Sequence, residues 1–296
     1  MNYRDLGSLS VSEIGFGCMS LAAGYPENEA LIHSAIGAGI NFFDTADIYQ
    51  EGQNEICLGK AIRGKRDRII LATKAGNVPL PGGKGLAWDA SKKHILKAAE
   101  DSLKRLQTDY IDLFQLHGGT IDDPLDETIE AFEKLRTEGK IRYYGISSIR
   151  PNVIRAYLEK SAITSVMMQY GLLDRRPEES CIGLLKERHI GLIARGSLAR
   201  GLLVDKVPVA FLNFSEGQVS ITRDAIHALS GSLRSPAQTA IRFVLKEAAV
   251  SVALVGIRNR KQLEDAIGVS ASPGLTDKEC MDLRNIVEAA RYELHR

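Results

Sequence analysis

Short apolar runs alternate along the chain with longer segments of helical periodicity. The runs contain the β-branched and aromatic residues that buried strands favour. They begin near residues 15, 41, 69, 111, 141, 166, 190 and 252. The periodic segments between and after them predict helices over 26–38, 54–62, 91–106, 124–138, 151–159, 177–187, 236–248, 261–269 and 276–292. Eight strand-then-helix units in about 300 residues are typical of a closed (β/α)8 TIM barrel, with an open doubly wound sheet as the alternative.

The segments outside this alternation are few. Residues 3–13 alternate loosely around Gly7-Ser8 and predict an N-terminal β-hairpin. Residues 79–85 predict a loop, and 202–235 a less regular region. A capping box of Thr276 and Glu279 predicts the start of an extra C-terminal helix. With no linker or low-complexity stretch in view, we expect one barrel domain over residues 1–296.

Composition narrows the class of protein. The chain has 44% hydrophobic and 25% charged residues and a net charge of +1, which gives no reason to expect nucleic acid or an anionic membrane as a partner. Its four cysteines have no C-x-x-C spacing, which argues against a zinc site or a redox dithiol and fits a reducing cytoplasm. No secretory signal or membrane-spanning apolar run is visible, so we expect a cytoplasmic protein.

Polar side chains follow three neighbouring predicted strands at the point where each ends. Asp44 closes the second strand and Tyr49 lies in the loop after it, while Lys74 and His117 end the third and fourth strands. Each residue alone has an ordinary structural explanation, such as a helix cap for Asp44 or a satisfied core position for His117. Because the carboxyl ends of barrel strands meet at one mouth, we expect all four side chains to lie together there.

This set of residues suits proton delivery to a carbonyl oxygen. A nearby lysine ammonium favours the phenolate and lowers the pKa of a tyrosine, and a carboxylate holds the lysine charged and oriented. A histidine can hydrogen-bond the substrate oxygen, so the set fits hydride addition to a carbonyl. His117 has no neighbouring ligand pair, and we expect no metal site.

The sequence resembles the aldo-keto reductases over nearly its whole length. The motifs that carry the resemblance are Gly15-Phe16-Gly17-Cys18-Met19, Asp44-Thr45-Ala46-Asp47-Ile48-Tyr49, Ala72-Thr73-Lys74, residues 102–117 ending at His117, Gly145-Ile146-Ser147-Ser148 and Leu198-Ala199-Arg200-Gly201-Leu202-Leu203. The resemblance implies a (β/α)8 barrel that reduces aldehydes and ketones with NADPH. It also implies that Tyr49 is the proton donor, that Lys74 and Asp44 tune it, and that His117 orients the carbonyl. The partial Gly15-x-Gly17 pattern then belongs to the first barrel strand and not to a Rossmann fingerprint.

The same resemblance places the cofactor NADP(H). It implies a set of contacts at Cys18, Met19, Asp44, Ser147, Gln169, Arg195, Gly196, Ser197, Leu198, Gly256, Arg258, Gln262 and Asp265. The strand-6 contact to the carboxamide stays open between Met167 and Gln169. Arg195 stands where many members place an aromatic ring against the nicotinamide, and Arg258 is expected to read the 2′-phosphate.

This sequence also departs from the family pattern. Ser148 replaces the usual Asn beside Ser147, and Asp265 and Ala266 replace the usual Glu and Asn at the adenosine end. These substitutions weaken the corresponding cofactor contacts.

Two other functions remain open. A barrel that binds NADPH and signals redox state to a protein partner is the alternative to a reductase. A lyase or isomerase acting on a phosphorylated substrate is a weaker one, based on Gly196 and Gly256 at the usual phosphate-loop positions. The sequence names neither the physiological carbonyl substrate nor the oligomeric state. Without a long C-terminal tail, we expect an open pocket.

Overall fold

The computed structural model describes residues 1–21, 25–80 and 85–296, and it contains a closed barrel of parallel strands. The barrel strands, in their order around the barrel, are β3 (Ile14–Gly17), β4 (Phe42–Asp44), β5 (Ile70–Ala75), β8 (Ile111–Leu116), β9 (Ile141–Ser147), β10 (Ser165–Gln169), β11 (Gly191–Arg195) and β12 (Val250–Gly256). Strand β12 pairs with β3 and closes the ring. The predicted (β/α)8 barrel is confirmed.

Two antiparallel hairpins lie outside the barrel. The first is β1 (Tyr3–Leu6) with β2 (Leu9–Ser12), as the sequence predicts. The second is β6 (Asn77–Pro79) with β7 (Leu86–Trp88), between the third barrel strand and the next helix. Its two strands, which the sequence does not predict, flank the loop predicted over residues 79–85, and residues 81–84 of that loop lie outside the described residues.

Helices follow the barrel strands and cover their outer faces. They are α1 (Tyr25–Gly37), α2 (Gln53–Ala61), α3 (Lys92–Leu106), α4 (Leu125–Thr137), α5 (Pro151–Lys160), α6 (Cys181–Glu187), α7 (Glu216–Leu229), α8 (Pro236–Leu245), α9 (Arg260–Gly268) and α10 (Asp277–Arg284). Helix α3 shows why the sequence encodes them: Ser91 caps its first turn, and Ile95, Ala99 and Leu103 recur on its buried face. In the described parts of the chain, no helix has the length and apolar character needed to cross a bilayer.

Apolar side chains fill the barrel and leave one end free for the site. A core cluster inside the strands includes Phe42, Leu113 and Ile193, and Leu6 and Val11 of the N-terminal hairpin belong to the same cluster. The hairpin therefore plugs the end of the barrel where the strands begin. The open end is the one where the strands finish, which is where barrel enzymes place their chemistry.

Two sequence predictions about helices are wrong. Helix α7 lies within the stretch predicted to be irregular, and Ser215 and Gln218 form a capping box at its start. The C-terminal helix ends at Arg284 and does not continue to Tyr292. Beyond Arg284 the chain is held by tertiary contacts, because the Tyr292 backbone N–H donates to Glu179 Oε2 and the Tyr292 ring is buried. Such long-range contacts override local helix propensity.

Candidate active site

A cavity of about 850 Å³ opens at the ends of the barrel strands. Asp44, Tyr49, Lys74 and His117 all line it, so the structure brings together the four residues that the sequence singles out. Strands β4 and β5 are neighbours, and β8 follows β5 around the barrel. Their adjacent ends deliver Asp44, Lys74 and His117 to one side of the mouth.

Lys74 and Asp44 form a buried ion pair. Lys74 Nζ lies 2.6 Å from Asp44 Oδ2 and also donates to the backbone oxygen of Thr45 at 2.6 Å. Burial by itself would lower the Lys74 pKa, but Asp44 and then Tyr49 outweigh it, so the pKa of Lys74 is raised and the ammonium stays charged. Gln115 Nε2 donates to the second Asp44 oxygen at 3.4 Å, and this holds the carboxylate in place.

Tyr49 lies beside this pair in a half-buried position. Lys74 Nζ is 5.1 Å from the centroid of the Tyr49 ring. Burial raises the pKa of Tyr49 above its ordinary value, and the Lys74 charge opposes that rise without cancelling it. The predicted lowering of the Tyr49 pKa by Lys74 is therefore present, but desolvation outweighs it, so the net pKa of Tyr49 is raised.

His117 completes the group across from Tyr49. The two rings meet edge to face with centroids 5.9 Å apart, and the His117 backbone oxygen accepts from Asn77 Nδ2 at 2.9 Å. Burial, with the charges of Lys74 and Arg195, lowers the pKa of His117 to about 3. The imidazole is therefore neutral at ordinary pH. Its Nδ1 is buried without a hydrogen-bond partner in the protein.

The residues expected at the nicotinamide end lie around the same cavity, with one exception. Arg195 Nη1 donates to Gln169 Oε1 at 3.0 Å, and both side chains line the cavity. Met167 also lines it but is 2% exposed and packs in the barrel interior, which leaves Gln169 as the polar group nearer the mouth. Cys18 is fully buried with its Sγ turned to the Phe16 oxygen, and it does not line the cavity.

The loop after β11 carries the next group of candidates. Gly196, Ser197 and Leu198 line the cavity, as do Met19 near β3 and Ser147 at the end of β9. Gly196 has a φ of 81°, a left-handed conformation that disfavours other residues. The Ser197 hydroxyl is buried and has no partner in the protein.

The far end of the cavity meets the start of α9. Gly256, Arg258, Gln262 and Asp265 line it. Gln262 Oε1 accepts from the Arg258 backbone N–H at 2.9 Å, while Asp265 Oδ1 accepts from the Ser235 hydroxyl at 2.8 Å. Asp265 is thus tied to the neighbouring helix, and Arg258 is exposed.

Sequence reasoning missed several polar residues that line the cavity. They include Arg200, Lys206, Asn259 and Lys261. Arg200 stands inside a motif already quoted, and Asn259 is the capping residue of α9, accepting from the Gln262 N–H at 2.9 Å. Their side chains had no strand-end pattern to mark them, because they belong to loops and a helix start.

The barrel fold and the polar side chains at its mouth suit an oxidoreductase. Comparison with known proteins supports the same class. The family model described as "Aldo/keto reductase family" matches residues 13–288. The chain belongs to the aldo-keto reductase family, which makes it an oxidoreductase by class.

Similar proteins occur in bacteria and plants. The uncharacterized oxidoreductase YqkF of Bacillus subtilis (strain 168) is 46% identical over 310 residues, covering 100% of both chains. The probable aldo-keto reductase 1 of Glycine max is 33% identical over 94% of this chain and 85% of its own length.

Solved structures agree with this assignment. The holo form of aldo-keto reductase AKR11C1 from Bacillus halodurans superimposes with a TM-score of 0.94 at 46% identity, covering 100% of this chain and 99% of that chain. The apo form of the same protein has a TM-score of 0.85 at 43% identity, with the same coverage. This structure is therefore more similar to the holo form than to the apo form.

Proposed function

We propose that the protein reduces aldehydes and ketones to alcohols with NADPH, and that Tyr49 donates the proton. The observation that carries this proposal is the arrangement of Tyr49 and His117 across one mouth, with the buried Lys74–Asp44 pair behind them. A phenol and a neutral imidazole can both donate a hydrogen bond to one carbonyl oxygen. Donors aimed at an oxygen that gains negative charge lower the barrier to its formation.

Each of the four residues has a distinct part in this reaction. His117 is neutral and orients the carbonyl without adding charge. Tyr49 transfers its proton as the oxygen becomes negative, and Lys74 stabilises the phenolate that remains. Asp44 keeps Lys74 charged and aimed at Tyr49. The ammonium thus acts late in the reaction, when the phenol has lost its proton.

The residues around the cavity fit a nicotinamide dinucleotide. When bound, the cofactor supplies the hydride. The partnerless, buried Ser197 hydroxyl and the left-handed Gly196 beside it form a place for a phosphate oxygen close to the backbone. Gln169 and Ser147 offer polar groups to a carboxamide, and the planar guanidinium of Arg195 can stack on the ring.

Preference for NADPH over NADH rests on the start of α9. Arg258 and Lys261 are both exposed cavity-lining cations, and neither has a carboxylate partner in the described chain. A 2′-phosphate needs such a cation and gains from the backbone N–H groups of a helix start.

The test is direct. Purified protein is mixed with NADPH and an aromatic aldehyde, and the loss of NADPH absorbance is followed beside the formation of alcohol. We expect one alcohol formed for each NADPH oxidised. Tight NADPH binding with no turnover of any carbonyl compound would favour the redox-sensing alternative, and no binding at all would contradict both.

A further inference from the structure

Arg150 is a cation that lines the cavity but is not one of the proposed cofactor-binding residues. Of the positive side chains that line the cavity, Arg200, Lys206, Arg258 and Lys261 belong to the loop after β11 and the start of α9. Lys74 is paired with Asp44, and Arg195 with Gln169. Arg150 instead follows β9 and lies on the wall formed by His117, Gly118, Ser148 and Ile149.

The contacts of Arg150 hold it in place without neutralising it. Its Nη1 donates to the backbone oxygen of Gly119, and its backbone N–H donates to Ser148 Oγ at 3.2 Å. In the part of the chain that the structure describes, no carboxylate lies within ion-pair distance of Arg150. Two other partly buried arginines, Arg66 and Arg105, each have a carboxylate at 2.6 Å.

The surroundings of Arg150 strengthen any anion contact made there. Ile149 beside it is an exposed apolar residue of the same wall, and Leu86 of the β6–β7 hairpin lines the cavity too. A charge pair next to apolar surface is screened less than one in open water. A planar guanidinium anchored through one nitrogen still presents further N–H groups, and these match a carboxylate.

The chain places this cation near the reacting centre. Gly119, whose backbone oxygen accepts from the Arg150 guanidinium, is two residues after His117, so the Cα atoms of Gly119 and His117 are at most about 7 Å apart. A benzene ring or a chain of a few carbons between a carbonyl and a carboxylate is a spacer of that order.

We propose that Arg150 is a specificity residue that binds the carboxylate of the substrate, and that the preferred substrates are aldehydes or ketones with a carboxylate at their other end. This inference rests on the proposed carbonyl reduction. It adds the substrate class, which neither the family nor the four residues at the mouth determine.

The experiment compares two aldehydes that differ only in whether the carboxyl group is free or esterified. These are 4-carboxybenzaldehyde and its neutral methyl ester, methyl 4-formylbenzoate, with kcat and KM measured for each. The charged group of the acid lies opposite its aldehyde. We expect wild type to favour the acid by about 10-fold or more in kcat/KM.

Substitutions at Arg150 identify the cause of that preference. Arg150→Met should lose roughly 10–100-fold in kcat/KM on the acid, mainly through KM, which is the range of a charge-assisted hydrogen bond. The same substitution should change kcat/KM on the ester little. Arg150→Lys should keep part of the kcat/KM on the acid that Arg150→Met loses. Arg155→Met is the matched control, because Arg155 is on α5, the helix that Arg150 precedes, and lines a separate surface cavity.

Binding without turnover separates this inference from the proposed reaction. Calorimetry with NADPH present compares 4-carbamoylbenzoate with the neutral terephthalamide, neither of which is expected to be reduced. Binding of the carboxylate that weakens about 10-fold or more in Arg150→Met supports the inference even if no aldehyde is turned over. Equal losses for acid and ester, or carboxylate binding unchanged in Arg150→Met, would show that Arg150 only ties the loop to Gly119 and would overturn it.

Discussion

Tyr49 and His117 face each other edge to face at the mouth of the barrel, with ring centroids 5.9 Å apart. One residue comes from the loop after β4 and the other from the end of β8. In the proposed reaction, a carbonyl oxygen that contacts both rings has the proton donor Tyr49 on one side and the neutral hydrogen-bond donor His117 on the other. In the same proposal, the Lys74–Asp44 pair behind Tyr49 determines how readily that proton leaves.

Loss of the lysine should damage both activity and stability. Lys74→Met removes the charge that stabilises the phenolate and leaves the 2% exposed Asp44 without its cation. Breaking a buried pair in this way costs about 3–5 kcal/mol. We expect the free energy of unfolding to fall by that order, to be measured by urea denaturation. The double variant Lys74→Met/Asp44→Asn should recover much of the stability but little of the activity. Recovery of both would contradict the role of Lys74 in the reaction.

His117 should make the protein less stable in acid. Its pKa is lowered from 6.5 to about 3 in the folded protein. Stability from the neutral ring is therefore complete above pH 6.5 and is lost progressively as pH falls from 6.5 towards 3. Between pH 7 and pH 5, we expect the free energy of unfolding of wild type to fall by about 1–2 kcal/mol more than that of His117→Asn, as measured by urea denaturation at both pH values. Parallel losses in the two proteins would show that the His117 pKa is not lowered.

Asp47 should have the opposite pH dependence. Burial, and then the charge of Glu55, raise the pKa of Asp47 from 3.8 to about 7, and Asp47 Oδ1 is buried without a partner. The stability linked to its proton is complete below about pH 3.8 and is lost as pH rises through 7. The free energy of unfolding of Asp47→Asn, relative to that of wild type, should therefore rise by about 1–3 kcal/mol between pH 5 and pH 8. The check is urea denaturation at both pH values, and a constant difference would rule out titration of Asp47 in that range.

Cofactor preference offers a matched pair of substitutions. Arg258→Ala removes a cavity-lining cation, while Arg260→Ala removes an exposed cation that does not line the cavity and pairs with Glu264. We expect wild type to bind NADPH more tightly than NADH. Arg258→Ala should lose roughly 1.5–3 kcal/mol of that preference, as for a charge-assisted hydrogen bond. Fluorescence titration with NADPH and NADH measures this preference. Equal losses in Arg258→Ala and Arg260→Ala would mean that the preference comes from the overall positive charge of this region and not from a specific contact with Arg258.

The sequence predicts the barrel and its mouth well because both follow from local patterns. Strand β8 is mostly apolar and is followed directly by His117, and the apolar start of β5 leads to Lys74 near its end, so the strand-then-helix pattern alone places these side chains at one end of the barrel. Three of the features that escape such reasoning have a clear physical reason. The β6–β7 hairpin is too short to show a period, and the end of α10 is fixed by a contact between Tyr292 and Glu179 that is remote in sequence. The net pKa shift of Tyr49 depends on burial, which only the packed structure reveals.

The central claim is that Tyr49 is the proton donor, and Tyr49→Phe tests it most directly. The substitution removes one oxygen and keeps the ring that meets His117. The measurement is single-turnover NADPH oxidation with an aldehyde, alongside NADPH affinity from fluorescence titration. We expect unchanged affinity and a rate lower by about 100-fold or more, as for loss of a general acid. A rate near that of wild type in a variant that binds NADPH normally would contradict the claim.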